Sequence, residues 1–242
     1  MSGHSKWATT HRQKSAADAK KGAAFTKMSN LIAIAAREGG ADQNANFKLR
    51  LAIEKARAAN MPKDKIEKAI LRGAGIGEKA NLEEAVYEVL GPAGSAFIIE
   101  VITDNKNRAI SEIKNALIKN GGQLAGSGNV SWLFNKMGVI IIALGDKTAG
   151  LDELELSLID AGAQEIVKNG EEWEIRTMST DLQKAEKNLR DKNIQIKESS
   201  LSYVAKEDLN ISDPTTQEQI ERLFSALSNL DDVSNVYTNA NW

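Results

Sequence analysis

The sequence has no cysteine. That excludes disulfides, thiolate metal sites and cysteine nucleophiles together. Histidine is nearly as scarce, with two in 242 residues, His4 and His11. They stand seven positions apart with one nearby acid, Asp18, which is a poor pattern for a metal. A nucleophile needs a base beside it in a shaped cleft, and both histidines lie in a polar terminal stretch. The acids Glu83, Glu84, Asp152, Glu153, Glu155, Glu171, Glu172, Asp231 and Asp232 fall where helix caps, turns and solvated faces account for them. The sequence therefore predicts no catalytic residue, no metal site, no cofactor and no small-molecule substrate. Aromatics make up 5%, so a core must rest on Ile, Leu, Val and Ala. No apolar run approaches the roughly 18 residues of a membrane helix, and the first residues lack the apolar region of a signal peptide. With 42% hydrophobic and 26% charged residues, the expectation is a cytoplasmic protein of two or three domains with no membrane partner.

What is present is a hidden polarity. The net charge of −2 conceals a basic front and an acidic remainder. Residues 1–80 carry 11 Lys and 5 Arg against 7 acids, a balance of +9, while residues 81–242 hold 15 bases and 26 acids, a balance of −11. Such asymmetry points to a nucleic-acid-binding module joined to domains that repel the same ligand. The basic charge begins in Ser2–Gly22, which holds Lys6, Arg12, Lys14, Lys20 and Lys21, both histidines and one large apolar side chain, Trp7. Lys and Arg displace counterions from phosphate, and an indole stacks on a base. The candidate nucleic-acid-binding residues are His4, Lys6, Trp7, His11, Arg12, Lys14, Lys20, Lys21 and Lys27. The competing reading is a merely solvated arm, with Trp7 packed on the domain that follows.

From Phe25 the pattern is helical: Phe25, Met28, Leu31, Ile32, Ala35 and Ala36 recur at three- and four-residue steps up to Gly39-Gly40. Phe47 to Ala59 is a second helix, and Pro62 opens a third with Ile66, Ala69 and Ile70 as its stripe. This small bundle, residues 1–76, would display Lys48, Arg50, Lys55, Arg57, Lys63, Lys65, Lys68 and Arg72 on its outer face. Gly73-Ala-Gly-Ile-Gly77 follows a helix rather than a strand, so it reads as a linker and not a phosphate loop.

Strands come next. Tyr87 to Leu90 and Ser95 to Thr103 flank the turn Gly91-Pro92-Ala93-Gly94. A helix runs from the caps Asp104-Asn105 to about Lys119, with Ile110, Ile113, Leu117 and Ile118 as its buried stripe, and Val130 to Phe134 reads as a strand. Residues 136–205 then run strand, helix, hairpin, helix, strand, the order of a ferredoxin-like domain. The tail holds a helix, Thr215 to Ser228, and a strand, Val233 to Thr238. Alone these bury nothing, so they are expected to complete residues 82–135. The predicted fold is α+β and multidomain: a helical bundle, then two α/β ferredoxin-like domains. The first, residues 82–135 and 206–242, is discontinuous, and the second is inserted within it.

Two polar stretches remain. Asp104, Asn105, Lys106, Asn107 and Arg108 sit where a strand hands over to a helix. Capping explains them, and contact of Lys106 and Arg108 with phosphate or a partner is the alternative. Gly121-Gly122 through Gly126-Ser127-Gly128 reads as turn geometry.

Taken in order, several short stretches resemble the YebC/PmpR family, whose mitochondrial members include a translational activator of cytochrome oxidase. They are Gly3-His4-Ser5-Lys6-Trp7, Asp18-Ala19-Lys20-Lys21-Gly22, Phe25-Thr26-Lys27, Ala58 to Asp64 and Arg72 to Gly75. Farther on come Gly91 to Gly94, Thr103-Asp104-Asn105 with Asn107-Arg108, Val130-Ser131-Trp132, Leu230 to Val233 and Asn235-Val236-Tyr237. At His11-Arg12-Gln13 the arm is less basic than in many relatives. The resemblance implies a three-domain, non-enzymatic regulator of gene expression. Some members are labelled DNA-binding transcriptional regulators; others are described as translation factors that help ribosomes through proline runs. DNA, ribosomal RNA and the ribosome are thus the implied partners. The alternative is an acidic protein-interaction adaptor with a solvated arm.

If Trp7 stacks on a base, Trp7→Ala should weaken nucleic-acid binding by about tenfold, from the 1–3 kcal/mol of such contacts, with an unchanged melting temperature. A lowered melting temperature with unchanged affinity would show instead that Trp7 anchors the arm to the bundle.

Overall fold

A computed structural model describes residues 18–76, 81–144, 150–170 and 172–241, with side chains from Gly22 onward except at Asn169. The first helix, α1 (Asp18–Gly39), begins seven residues before Phe25, the first apolar residue of its stripe. Its opening turns hold Ala19, Ala23 and Ala24, with Asp18 at the N-terminus, so helix propensity and the dipole favour the extension. α2 (Phe47–Ala58) is capped by Asn46, whose side chain accepts the Leu49 N–H at 3.0 Å. α3 (Lys63–Gly73) follows Pro62.

The turn between α2 and α3 has a physical cause in its sequence. Asn60 takes a left-handed φ of 59°. The Asn60 N–H donates to Arg57 O at 2.9 Å and the Met61 N–H to Ala56 O at 2.9 Å. This is the paired closure of a Schellman motif, and Met61 and Ala56 are buried in one cluster, as that motif favours.

Two compact units divide the chain: Asn135–Val204, and the residues on either side of it. In the flanking unit, β1 (Glu83–Leu90) and β2 (Ala96–Thr103) form an antiparallel hairpin. α4 (Lys106–Lys119) and the short β3 (Gln123–Leu124) follow. After the other unit come β8 (Leu209–Asn210), α7 (Pro214–Ser228), β9 (Val233–Thr238) and β10 (Ala240–Asn241). The sheet order is β3-β1-β2-β9, and β2 pairs antiparallel with β9. β8 and β10 form a small parallel pair that the sequence did not suggest.

β2 reads as a nearly unbroken apolar run because both its faces are covered. Phe97, Ile99 and Val101 pack with Ile113 and Leu117 of α4 and Ile220, Leu223 and Leu227 of α7. Ile102 joins Leu82 and, from α1, Ala33 and Ile34. α1 is therefore buried on two sides. Ile32, Ala35 and Ala36 face α2 and α3, and Ala33 and Ile34 face the α/β part. Polar ties add to this contact: the Lys27 ammonium donates to Ser228 O at 2.8 Å, and Lys48 bridges Glu38 at 2.8 Å and Glu84 at 3.0 Å.

The other unit contains β4 (Phe134–Ala143), α5 (Leu151–Asp160), β5 (Ala163–Asn169), β6 (Glu172–Met178), α6 (Leu182–Asp191) and β7 (Gln195–Ala205), the first and last strands each reaching one residue into the flanking unit. Its sheet order β5-β6-β4-β7 is that of a ferredoxin-like fold. The chain is α+β, as its sequence pattern predicts. No helix among the described residues is long and apolar enough to cross a membrane.

Two local expectations are corrected. Val130–Phe134 is not a strand: Ser131–Leu133 is a 3-10 turn, and β4 runs unbroken from Phe134 to Ala143. The N–H groups of Val130 and Ser131 are taken by the Glu88 carboxylate and are lost to any ladder. Gly138 lies inside β4, where a Cβ would come within 2.5 Å of Thr177 Oγ1. In α4 the buried stripe is Ala109, Ile113 and Leu117, while Ile118 is 79% exposed. Ile118 follows Leu117 by one position, about 100° around the helix from it.

Ile34→Ala should lower unfolding free energy by about 2–4 kcal/mol, the cost of emptying a buried aliphatic site. Urea denaturation measures it, and a change below about 0.5 kcal/mol would show that α1 does not hold this face of the sheet.

Candidate nucleic-acid interface

Of the residues the sequence proposes for phosphate contact, His4, Lys6, Trp7, His11, Arg12 and Lys14 lie outside the described residues. Lys20 and Lys21 belong to the first turns of α1. Lys27 is turned to the backbone of Ser228.

The bundle's cations do not all face outward as expected. Lys48 is held by two acids. Burial works to lower its pKa, but the bonds to Glu38 and Glu84 outweigh that and raise it. Lys55 reaches Asn235 Oδ1 at 3.4 Å. The half-buried Arg72 guanidinium donates to Asn30 Oδ1 at 2.8 Å and Ser29 Oγ at 3.4 Å, and desolvation lowers its pKa. Arg50 is half-buried, over the Phe47 ring at 4.9 Å. Five of the eight are exposed, and four of these, Arg57, Lys63, Lys65 and Lys68, lack the two-acid clamp that holds Lys48. Lys65 stands over the Phe25 ring at 5.3 Å, and Lys63 lies 3.6 Å from Glu67. These four sit on the end of α2 and on α3, and two of them, Arg57 and Lys63, line an open groove of about 400 Å³. Sequence reasoning missed this groove. Its signal was the left-handed Asn60 and the adjacent Met61, which set the angle between the two helices.

The cluster at residues 104–108 is engaged within the protein. Asn105 caps α4 by accepting the Arg108 N–H at 3.0 Å. The Arg108 guanidinium meets both carboxylate oxygens of Asp232, at 2.9 and 3.0 Å, and Asp104 at 2.8 Å. The bond to Asp232, and then that to Asp104, raise its pKa. Lys106 pairs with Glu83. The cluster thus joins the ends of β2 and α4 to the loop before β9.

Another residue that the sequence did not single out organises the glycine-rich loop. Glu88, 8% exposed, accepts N–H groups from Gly128 at 2.7 Å, Val130 at 2.5 Å and Ser131 at 2.9 Å. Burial works to raise its pKa, but the three backbone bonds outweigh it and hold the carboxyl below its usual range. The loop presents Trp132, 63% exposed, whose indole N–H donates to Asn129 O at 3.0 Å. An acid inside the apolar run Tyr87-Glu88-Val89-Leu90 was the visible signal.

Comparison with known proteins agrees with this architecture. A model described as the TACO1/YebC protein N-terminal domain matches residues 5–76, and one described as the TACO1/YebC second and third domain matches residues 82–240. A protein of Thermoanaerobacter pseudethanolicus named "probable transcriptional regulatory protein" is 44% identical over 239 residues, covering 99% of this chain and 96% of that one. One of the same name from Fusobacterium nucleatum is 42% identical over 241 residues, covering 99% and 95%. The crystal structure of a conserved hypothetical protein from Aquifex aeolicus matches with a TM-score of 0.83 and 35% identity, covering 92% of this chain and 91% of that one.

Glu88→Gln should lower the melting temperature most at neutral pH. A carboxyl whose folded pKa is depressed stabilises above its unfolded value, near 4.5, and loses that contribution as pH falls through the folded pKa. The difference between the two proteins should therefore shrink on acidification. A difference that does not vary with pH would show that Glu88 is not ionised in the fold.

Proposed function

The chain belongs to the TACO1/YebC family, and on that premise we propose that it is a non-enzymatic regulator of gene expression that binds nucleic acid through its basic N-terminal domain, residues 1–76. One observation carries this: a balance of +9 in residues 1–80 against −11 in the rest. The solvent-facing Arg57, Lys63, Lys65 and Lys68 support it. The division of labour we propose gives phosphate contact to that domain. The discontinuous α/β domain, residues 82–135 and 206–242, and the inserted domain, residues 136–205, provide the acidic body.

The arm is richer in Lys than in Arg, and Lys meets phosphate as a point charge that reads little base sequence. With Trp7 among small residues, such an arm suits irregular RNA, whose unstacked bases accept an aromatic ring. The reading we favour is therefore a ribosome-associated translation factor that relieves stalls, with ribosomal RNA as the polyanion. A second reading, a DNA-binding transcriptional regulator, is favoured by the name its relatives carry.

If about four cations meet duplex phosphates, log affinity should fall against log salt with a slope near −3.6. Replacing Lys6, Arg12, Lys14, Lys20 and Lys21 by Ala should flatten that slope; an unchanged slope would remove the arm from the interface. In living cells, zero-length cross-linking with sequencing should return ribosomal RNA. Recovery of a few promoter sites, bound about a thousandfold or more over random DNA, would establish the transcriptional reading instead.

A further inference from the structure

The groove at the α2–α3 corner combines features that phosphate binding alone does not need. Its floor is aliphatic, made by Ile53, Met61, Ile66 and Ile70. Arg57 and Lys63 line it as well, and so do Asp42, Gln43 and Glu67. Its volume of about 400 Å³ lies in the range of sites that hold small planar ligands. Arg57 is exposed, and among the described residues its guanidinium has no hydrogen bond or ion pair. A guanidinium in that state is a ready fork for phosphate.

The two acids restrict what enters. A phosphate in the groove would meet the Asp42 and Glu67 carboxylates as well as the cations, whereas a nucleobase is neutral and carries polar groups on its edge. Asp42 already accepts the Asn44 N–H at 2.9 Å through Oδ1, and Glu67 is shared with Lys63 at 3.6 Å. Each carboxylate has acceptor capacity beyond these contacts, which suits exocyclic amino groups, and the Gln43 amide both donates and accepts. Aliphatic side chains for a neutral ring, carboxylate and amide groups for its polar edge and two cations for a phosphate, all lining one groove, together suit one nucleotide.

We propose that this groove binds a single unstacked base of a polynucleotide strand, with the adjoining phosphate on Arg57 and Lys63. The inference rests on the nucleic-acid reading above and adds to it. It gives the N-terminal domain a preference for single-stranded over duplex nucleic acid, since a paired base has no free edge to insert. It also favours bases that carry an exocyclic amino group over uracil, because the Asp42 and Glu67 carboxylates accept from such a group and uracil has none.

The test uses the full chain and two probes: a short single-stranded RNA of mixed sequence, and a blunt duplex of the same length. Ala41 lines the groove, is exposed and lies outside the helices, so Ala41→Leu plugs the groove without altering charge or core. Ala41→Leu should weaken single-strand binding by about tenfold, the loss of one inserted base, and leave duplex binding within about twofold. Arg57→Ala should weaken binding of both. Full-strength single-strand binding by Ala41→Leu would overturn the proposal and leave the groove to a protein segment or to no ligand. Equal losses on both probes would reduce it to a phosphate contact and also overturn it. Failure of the unsubstituted chain to bind either probe would instead overturn the nucleic-acid reading, and this site with it.

Discussion

The two-sided burial of α1 is the constraint on which the flanking unit depends. From Ile32 to Ala36 every residue is buried, an all-round apolar stretch that a surface helix does not tolerate. One side must be covered by α2 and α3, and the other by the sheet. The small residues Ala33, Ala35 and Ala36 allow close approach, and Gly73 shows how close: a Cβ there would come within 2.2 Å of Ala33 O. The bundle is thus joined to the sheet by its own core helix and not only by the linker. Lys27, Lys48 and Lys55 follow from this geometry, because a basic helix pair brought against the acidic α/β part finds acceptors there.

The same contact explains how the basic charge is distributed. Of the cations that reach the α/β part, Lys27 is tied to a backbone carbonyl, Lys48 to carboxylates and Lys55 to an amide oxygen, whereas Arg57, Lys63, Lys65 and Lys68 stay in solvent. Charge counting along the chain treats all of them alike. The structure separates Arg57, Lys63, Lys65 and Lys68 from Lys48, Lys55 and Arg72 by what lies opposite each, which no spacing rule encodes.

Periodic elements were legible. β9 spans Val233–Thr238 as the sequence predicts, and α4 begins where Asn105 caps it. The unread features depend on partners distant in sequence. Glu88 draws in N–H groups 40 to 43 residues away, turning an expected strand into a 3-10 turn. Arg108 is claimed by Asp232, 124 residues on. Ile118 looked apolar enough to be core, but only the packing of α4 decides which side of the helix meets the sheet. The candidate site was legible as charge; the groove was not, because its shape arises from one left-handed residue between two helices.

The pairing of β2 with β9 has a consequence for the order of folding. Phe97 sits opposite Thr238, so the central strand of that sheet gains its second neighbour only when nearly the whole chain exists. During synthesis, which proceeds from the N-terminus, the β1–β2 hairpin and α4 emerge long before α7 and β9. The Phe97, Ile99 and Val101 face of β2 must wait for the side chains of α7 that complete its core. The unit at residues 135–204 is closed within itself, so it can fold first and bring the two ends of the split sheet toward each other, shortening the effective loop that their pairing must close.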